Sequence, residues 1–512
     1  MIKRKFANDE YTLSYNGNVF CVISQTDIKG SGTQNSPYVV NSTKGFLYLT
    51  NLSLSNIYLT SKHIELSNNI VLNDEAFDEN GTPSGGDGKV YSWKGIAFAN
   101  ISMNGKDYVI KGMYINDSQK TGLGLFARGY IQTLVENLRF KNVYLNGYEQ
   151  VTAIGYRVET VKNCHVLSGT LRNNGKNYAC GLVMISTYIS NCTNYASVYG
   201  GTYVDGILFQ LNKNGICENN KNFGKIIGKS SVSGICSYVS NGTFQYCENN
   251  GEIYASSHMA AGIIAELSSG IVSLFNCVNY GKVSSPDYSG AIVSNVRKGL
   301  GLLIKNCKNY DSNARASMIG YVTATAENGN INIINCETYA DRGLINWVDG
   351  TGKTIINIIG CKIYRKAVSG ACCCYNYSPA SNIELNIKNV YINVKALPKK
   401  FSLISYAPGT SVSIENVVVD LECSNTSGMD FIRHASYKKD TDVKEINVKS
   451  YIINVKTPTT QENYYYGSNF SGFYVSWRTG QIGLIALDGK GGFQGKIDEE
   501  WLLNKGYEKK TI

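Results

Sequence analysis

The sequence predicts an all-β protein, a parallel β-helix solenoid with coils of 25–30 residues. Three observations carry this expectation. A cysteine returns as Cys164, Cys192, Cys217, Cys247, Cys277, Cys307, Cys336 and Cys361, at intervals of 28, 25, 30, 30, 30, 29 and 25 residues, and self-similarity at such a period marks stacked repeats. The segments NCTNYASV (191–198), NCVNYGKV (276–283), NCKNYDSN (306–313) and NCETYADR (335–342) align around it without gaps. Midway lies a second beat, a small residue followed by apolar ones: CGLVMI (180–185), DGILFQ (205–210), AGIIAE (261–266) and SGAIVS (289–294). Each unit therefore holds two or three short strands separated by Gly, Asn or Ser turns, and such a coil buries its apolar side only by stacking on the next.

In chain order, residues 1–40 read as an N-terminal attachment or lead-in segment, and 41–95 as a capping region with a short helix near Thr43–Leu52 and a loop. Residues 96–456 are the β-helix, and 457–512 a Gly/Tyr-rich cap or trimerisation and tip domain, with a second short helix near Asp498–Lys505. The scarcity of proline, 7 in 512 residues, fits long ladders that need every N–H. Between 376 and 456 the cysteine beat stops, and only apolar alternation marks strands, as in SVSIENVVVDLEC (411–423) and KEINVKSYIINVK (444–456).

Within a coil, the cysteines are expected as free, small apolar groups filling the interior. Two residues on comes an asparagine row, Asn194, Asn219, Asn249, Asn279 and Asn309, which suits left-handed turn geometry and amide stacking along the axis. Next stand Tyr195, Asn220, Asn250, Tyr280, Tyr310, Tyr339 and Tyr364. Three residues before the cysteine, the row Val161, Ile189, Asn214, Phe244, Leu274, Ile304, Ile333 and Ile358 is nearly all apolar. Strict alternation would place the two rows on opposite faces, so a bend at the intervening Asn must reset the phase.

Composition excludes several functions. The net charge of +10 is scattered, with no run longer than Lys3–Lys5, so nucleic-acid binding is not expected. No apolar run reaches the ~20 residues of a membrane span, and the N-terminal basic residues lead into no apolar stretch that would make a secretory signal. No CxxC pair has a matching partner, and Cys372-Cys373-Cys374 on a strand would not converge, so no metal and no cofactor is expected. His63, His165, His258 and His434 stand singly, without a readable nucleophile partner. The best candidate acid pair is Glu218 and Glu248, each one residue after a repeat cysteine, hence ~5 Å apart at the backbone if those cysteines are level. Asp205, Glu266, Asp341 and Asp349 are isolated carboxylates.

Binding is better supported than catalysis. Sugars dock on aromatic faces flanked by amides and hydroxyls, and Tyr280, Tyr310, Tyr339 and Tyr364 would place rings along the axis, with Tyr465, in the run Tyr464–Tyr466, as well as Tyr474 and Trp477 as further candidates near the C-terminus.

GSGTQNSPYVV (30–40) resembles the lead-in of bacterial surface β-helix proteins with GLUG-type repeats, and Trp93 and ISMNGKDYVIKGMYI (101–115) resemble the loop and turn that follow in that family. GLGLFARGYIQTLVENLRFKNVYLNG (122–147) and AIGYRVETVKNCHVLSGTL (153–171) look like its coils. The resemblance implies a right-handed, pectin-lyase-like β-helix and leaves function open. Together with the expected lack of a signal, it is similar to a bacteriophage tail fibre or tailspike. That likeness implies a homotrimer, made in a host cytoplasm and located in the virion, contacting other virion proteins and a host surface polysaccharide. A polysaccharide lyase or hydrolase on the same scaffold, and a bacterial surface adhesin, are the alternatives.

Overall fold

The computed structural model describes residues 26–54, 60–85, 90–97, 99–127, 131–175, 177–297, 301–311, 316–324, 329–350, 352–365, 372–376, 382–395, 403–406 and 411–422. Outside these it describes only the backbone of short strands within 2–21 and 430–486. The protein is an all-β parallel solenoid of about 12 coils, 3% helical. It divides into two compact units, residues 1–268 with 277–288, and 269–276 with 289–512. The expected helix near 498–505 and the aromatic Tyr474 lie outside the described residues.

In the first unit, Ile2–Lys5, Tyr11–Tyr15 and Asn18–Cys21 form a separate antiparallel sheet. The helix Thr43–Leu54 follows. Ser42 caps it, its Oγ accepting the Gly45 N–H at 3.1 Å and so satisfying one of the free first-turn donors. The helix buries Phe46, Leu47 and Leu49, and Phe46 stacks on Trp93 at 5.4 Å. Trp93 is fully enclosed, with its Nε1 donating to the Gly124 carbonyl at 3.0 Å.

Most coils of this unit carry four short strands, one or two more than the sequence suggested, and one carries five, with Cys236–Val239 and Gly242–Gln245 in place of a single first strand. One coil runs Gly155–Lys162, His165–Val166, Gly169–Asn173 and Tyr178–Cys180, and the next runs Val183–Ser190, Thr193–Asn194, Ser197–Tyr199 and Tyr203–Asp205. Equivalent strands pair in parallel. The third strands form their own seven-stranded sheet, which ends at Val283–Ser284.

In most coils the bend between the first two strands is an asparagine in the left-handed region, with Tyr246 (φ 54°) and Gly360 (φ 66°) in its place at two. Asn137, Asn163, Asn191, Asn219, Asn276, Asn306, Asn335, Asn389 and Asn416 all have φ between 50° and 56°, and asparagine is the non-glycine residue best suited to that geometry. Because this residue turns the chain, the residue after it and the residue two before it both point inward. That is the phase reset the alternation demanded.

The register corrects the sequence alignment at one coil. Ile189 lies opposite Cys217, and Cys217 opposite Phe244. Cys217 therefore sits in the apolar row Val135, Val161, Ile189, Cys217, Phe244. The place level with Cys192 belongs to Asn220, whose Oδ1 accepts the Cys192 N–H at 2.9 Å. The buried amide row is accordingly Asn194, Asn222, Asn249, Asn279, and Asn219 is the left-handed turn residue instead. In that row each Nδ2 donates to the next Oδ1, at 3.0, 2.9 and 2.8 Å, and also to the carbonyl two residues on. These four residues are fully buried and extended rather than left-handed, so the left-handed geometry belongs one residue before the cysteine position and the stacking two residues after it.

In the second unit, the apolar row runs Leu274, Ile304, Ile333, Ile358, Ile387, Ile414 and Val448. It carries the coil register through the stretch where the cysteines stop. There Asn389-Val390 and Asn416-Val417 replace the Asn-Cys pair, and both valines are buried. Asn309 has Thr338 as its axial partner, at 3.2 Å. Pairing stays parallel to Tyr451–Lys456, and Gln461–Tyr466 then pairs with that strand antiparallel. The thirteen described cysteines, including Cys372, Cys373 and Cys374, are buried free thiols.

Candidate functional site

The acid pair expected from the cysteine alignment does not form. Glu218 lies opposite Gln245, whereas Glu248 lies opposite Lys221 and Val278, so the two carboxylates belong to different rows. Both are engaged structurally. Glu218 accepts from Tyr188 Oη and from Gln245 Nε2, and Glu248 from Asn250 Nδ2 at 2.7 Å, with Lys221 Nζ at 3.0 Å. The other carboxylates do not converge either. Asp205 and Glu266 are buried, and Asp349 accepts from Tyr321 Oη at 3.3 Å. Among the described residues no group of three or more His, Cys, Asp or Glu side chains is placed to hold a metal ion.

The tyrosine row exists, with its rings turned against one another. In the second unit Tyr310 and Tyr339 stack at 5.3 Å, Tyr339 and Tyr364 at 4.9 Å, and Tyr391 meets Tyr364 edge-on at 6.1 Å. Both faces of Tyr339 are thus covered by neighbours, and a sugar ring needs an open face. Tyr310, 37% exposed, has Tyr339 stacked on one face. Tyr339 Oη is spent on Glu337, at 2.7 Å, and this bond pushes the phenol up to about 12. In the first unit Tyr195 stacks on Phe223 at 4.6 Å, and Tyr280 is 50% exposed. Tyr465 and Trp477 fall in the strands Gln461–Tyr466 and Ser476–Arg478, opposite Ile452 and Ile482; their side chains lie outside the described ones.

An aromatic surface with open space lies among the described residues of the first unit, and sequence reasoning missed it. A groove of about 530 Å³ is lined by Gln150, Tyr156, Tyr178, Met184, Ile185, Tyr203, Phe209, Gln210 and Tyr238. Two strand stacks build it. The fourth strands of successive coils bring Tyr178 level with Tyr203, and the rings stack at 5.3 Å. The first strands bring Ile185 level with Gln210, and Gln210 level with Tyr238. Phe209 joins the two walls, 4.5 Å from Tyr178 and 5.0 Å from Tyr203, tilted by 52° and 60°.

The walls meet at a glycine seam. A Cβ on Gly206 would stand 2.1 Å from the Gly234 carbonyl oxygen, so only glycine lets the coils approach this closely. That seam is the small-residue beat of the sequence. Had the coils been aligned on it, Tyr178-Ala-Cys-Gly and Tyr203-Val-Asp-Gly would have shown the paired tyrosines.

No charged side chain lines the groove. The nearby Arg157 and Glu159 neutralise each other at 2.9 Å. Burial raises the Tyr178 phenol, with Tyr156 and Glu149 adding to it. Asp205, in the strand that carries Tyr203, is wholly buried, and desolvation pushes its carboxyl well above the usual carboxylate range. Gln150 departs from its surroundings in two ways. Its backbone is left-handed (φ 58°) without being glycine or asparagine, and its side-chain Oε1 is buried without a hydrogen-bond partner.

No family model matches the chain, and no curated protein matches it. Among solved structures, the chain is similar to a crystal structure of a "putative immunoglobulin A1 protease" from Bacteroides ovatus. The identity is 14%, the match covers 72% of this chain and 79% of that one, and the TM-score is 0.28. A likeness of that degree carries no argument about activity.

Proposed function

We propose that this chain is a β-helix protein of the bacteriophage tail-fibre or tailspike type that recognises a host cell-surface glycan. The observation that carries the recognition is the groove of Tyr156, Tyr178, Tyr203, Phe209 and Tyr238 flanked by the Gln150 and Gln210 amides. Aromatic rings take the apolar faces of sugar rings, and amides and phenols pair with their hydroxyls. Its volume suits a short oligosaccharide. Binding is favoured over cleavage because no carboxylate lines the groove, and glycoside hydrolysis needs two flanking the bond. The tail-fibre assignment is supported by the parallel β-helix alone, a scaffold that such fibres share with the bacterial surface proteins the lead-in and coil motifs resemble.

A glycan array probed with the purified full chain tests recognition, with Phe209→Ala as the control. Binding that falls at least tenfold in the variant supports the groove; binding to no glycan, or unchanged binding by the variant, refutes it. Light scattering tests assembly, since a native mass of one 56.2 kDa chain would remove the homotrimer that the tail-fibre type implies.

A further inference from the structure

The strand that brings Tyr203 to the groove also buries an acid. Tyr203 and Asp205 are two residues apart on that strand and so share a face, as Tyr178 and Cys180 do in the coil before. Along the axis the register at this position runs Thr152, Cys180, Asp205, Ser233 and Ala261, all buried. Asp205 is wholly enclosed. Its Oδ1 accepts from Ser233 Oγ at 2.5 Å, and its Oδ2 stands 3.6 Å from Cys180 Sγ. Ser237 supplies a further hydrogen bond. The titratable groups around the carboxyl are two thiols, Cys180 from the strand before and Cys236 from Cys236–Val239. Burial pushes both well above the usual thiol range, so neither is charged near neutral pH. Among the described residues no cation acts on the carboxyl.

An ionised carboxylate without a counter-charge is among the costliest groups to bury. Hydroxyl and thiol donors offset only part of that cost here, and desolvation prevails. A neutral acid both donates and accepts, which suits neighbours such as Ser233 Oγ and Cys180 Sγ that do the same. The backbone beside it has no slack. Gly206 follows Asp205 and Gly234 follows Ser233, the Gly206 N–H donates to the Ser233 carbonyl at 3.0 Å, and no Cβ fits between the two glycines. A carboxylate formed at this point gains hydration water only if the seam opens.

We propose that Asp205 is a pH switch built into the coil: as a neutral acid it ties the Tyr203 strand to Ser233 and Cys180, and its ionisation loosens the seam where the groove walls meet. The direction follows from linkage. In the unfolded chain the carboxyl ionises near pH ~3.9, and in the folded chain it keeps its proton to higher pH. Its contribution to stability is therefore complete below about pH 4 and is lost as pH rises towards the folded value. This is the opposite of a salt-bridged carboxylate, which loses its contribution on acidification.

Asp205→Asn keeps the shape of the side chain and cannot ionise. Urea denaturation of the full chain, parent against variant, is followed across acid to mildly alkaline pH. The parent's unfolding equilibrium constant is expected to rise relative to the variant's by about tenfold for each pH unit above about 5, until the folded carboxyl itself ionises. Infrared spectra of the native parent at neutral pH should contain a protonated-carboxyl band that Asp205→Asn lacks. A ratio that does not change with pH would overturn the proposal, and so would infrared spectra without that difference. If Asp205→Asn does not fold, Asp205→Ser takes its place in both comparisons. A native parent with no protonated-carboxyl band at neutral pH overturns the proposal without any variant.

Discussion

Replacing Asn222 and Asn219 separately by alanine tests the coil register directly. Asn222 is fully buried, donates to the Gly224 carbonyl at 3.0 Å and to Asn249 Oδ1 at 2.9 Å, and accepts from Asn194 Nδ2 at 3.0 Å. Losing three hydrogen bonds of about 1 kcal/mol each, and stripping a buried amide N–H of its acceptor, gives a loss of about 3–6 kcal/mol. Asn219 is exposed, and its contribution is the left-handed turn at φ 53°. Alanine there costs about 1 kcal/mol, the difference between a residue that tolerates this region and one that does not. Urea denaturation followed by far-UV circular dichroism reads both, and Asn222→Ala should show much the lower midpoint. A midpoint for Asn219→Ala as low as that for Asn222→Ala would refute the register, and with it the placement of Cys217 in the apolar row.

Three further outcomes follow from geometry already described. Gly206→Ala forces a Cβ to within 2.1 Å of a backbone oxygen, so it should destabilise by at least about 2 kcal/mol, as overpacking against a rigid neighbour does, read by the same denaturation. An ultraviolet titration should show one phenol ionising near pH 12 that disappears in Tyr339→Phe, since Tyr339 is pushed from 10.0 to about 12 by its bond to Glu337. A raised folded pKa stabilises below the unfolded value, so this contribution is complete below pH 10 and is lost as pH rises towards 12. With thirteen buried free thiols among fifteen cysteines, a thiol reagent should find at most two fast-reacting groups in the native chain and all fifteen after unfolding.

The coil was legible because its two beats are steric requirements: an asparagine for the left-handed bend and a glycine for the close seam. The error at one coil came from reading the cysteine as the marker. Cysteine fits either of two inward positions three residues apart, and Cys217 takes the one filled by isoleucine in the coil before. The asparagines were the better guide, since Asn194 and Asn222 keep the 28-residue spacing that Cys192 and Cys217 break. The groove was hidden for a different reason. Tyr178, Tyr203 and Phe209 are unremarkable in any one coil and become a surface only when coils are laid side by side in register. The tyrosine row was visible for the opposite reason, a letter repeated at one phase. Repetition at that phase turns the rings onto one another in the second unit and covers both faces of Tyr339.

The buried amide row has a consequence for how a chain like this can change length. From Asn194 to Asn222 to Asn249, every level presents a donor on one side and an acceptor on the other. Excising the 27 residues from 222 to 248 would bring Asn249 against Asn194 with the same chemistry at the join. A cut one or two residues out of phase would set Glu248, Asn250, Cys247 or Gly251 level with Asn194 and break the buried chain of amides. The row therefore works as a ruler with whole-coil graduations: it permits duplication and loss of complete turns and rejects fractions of one.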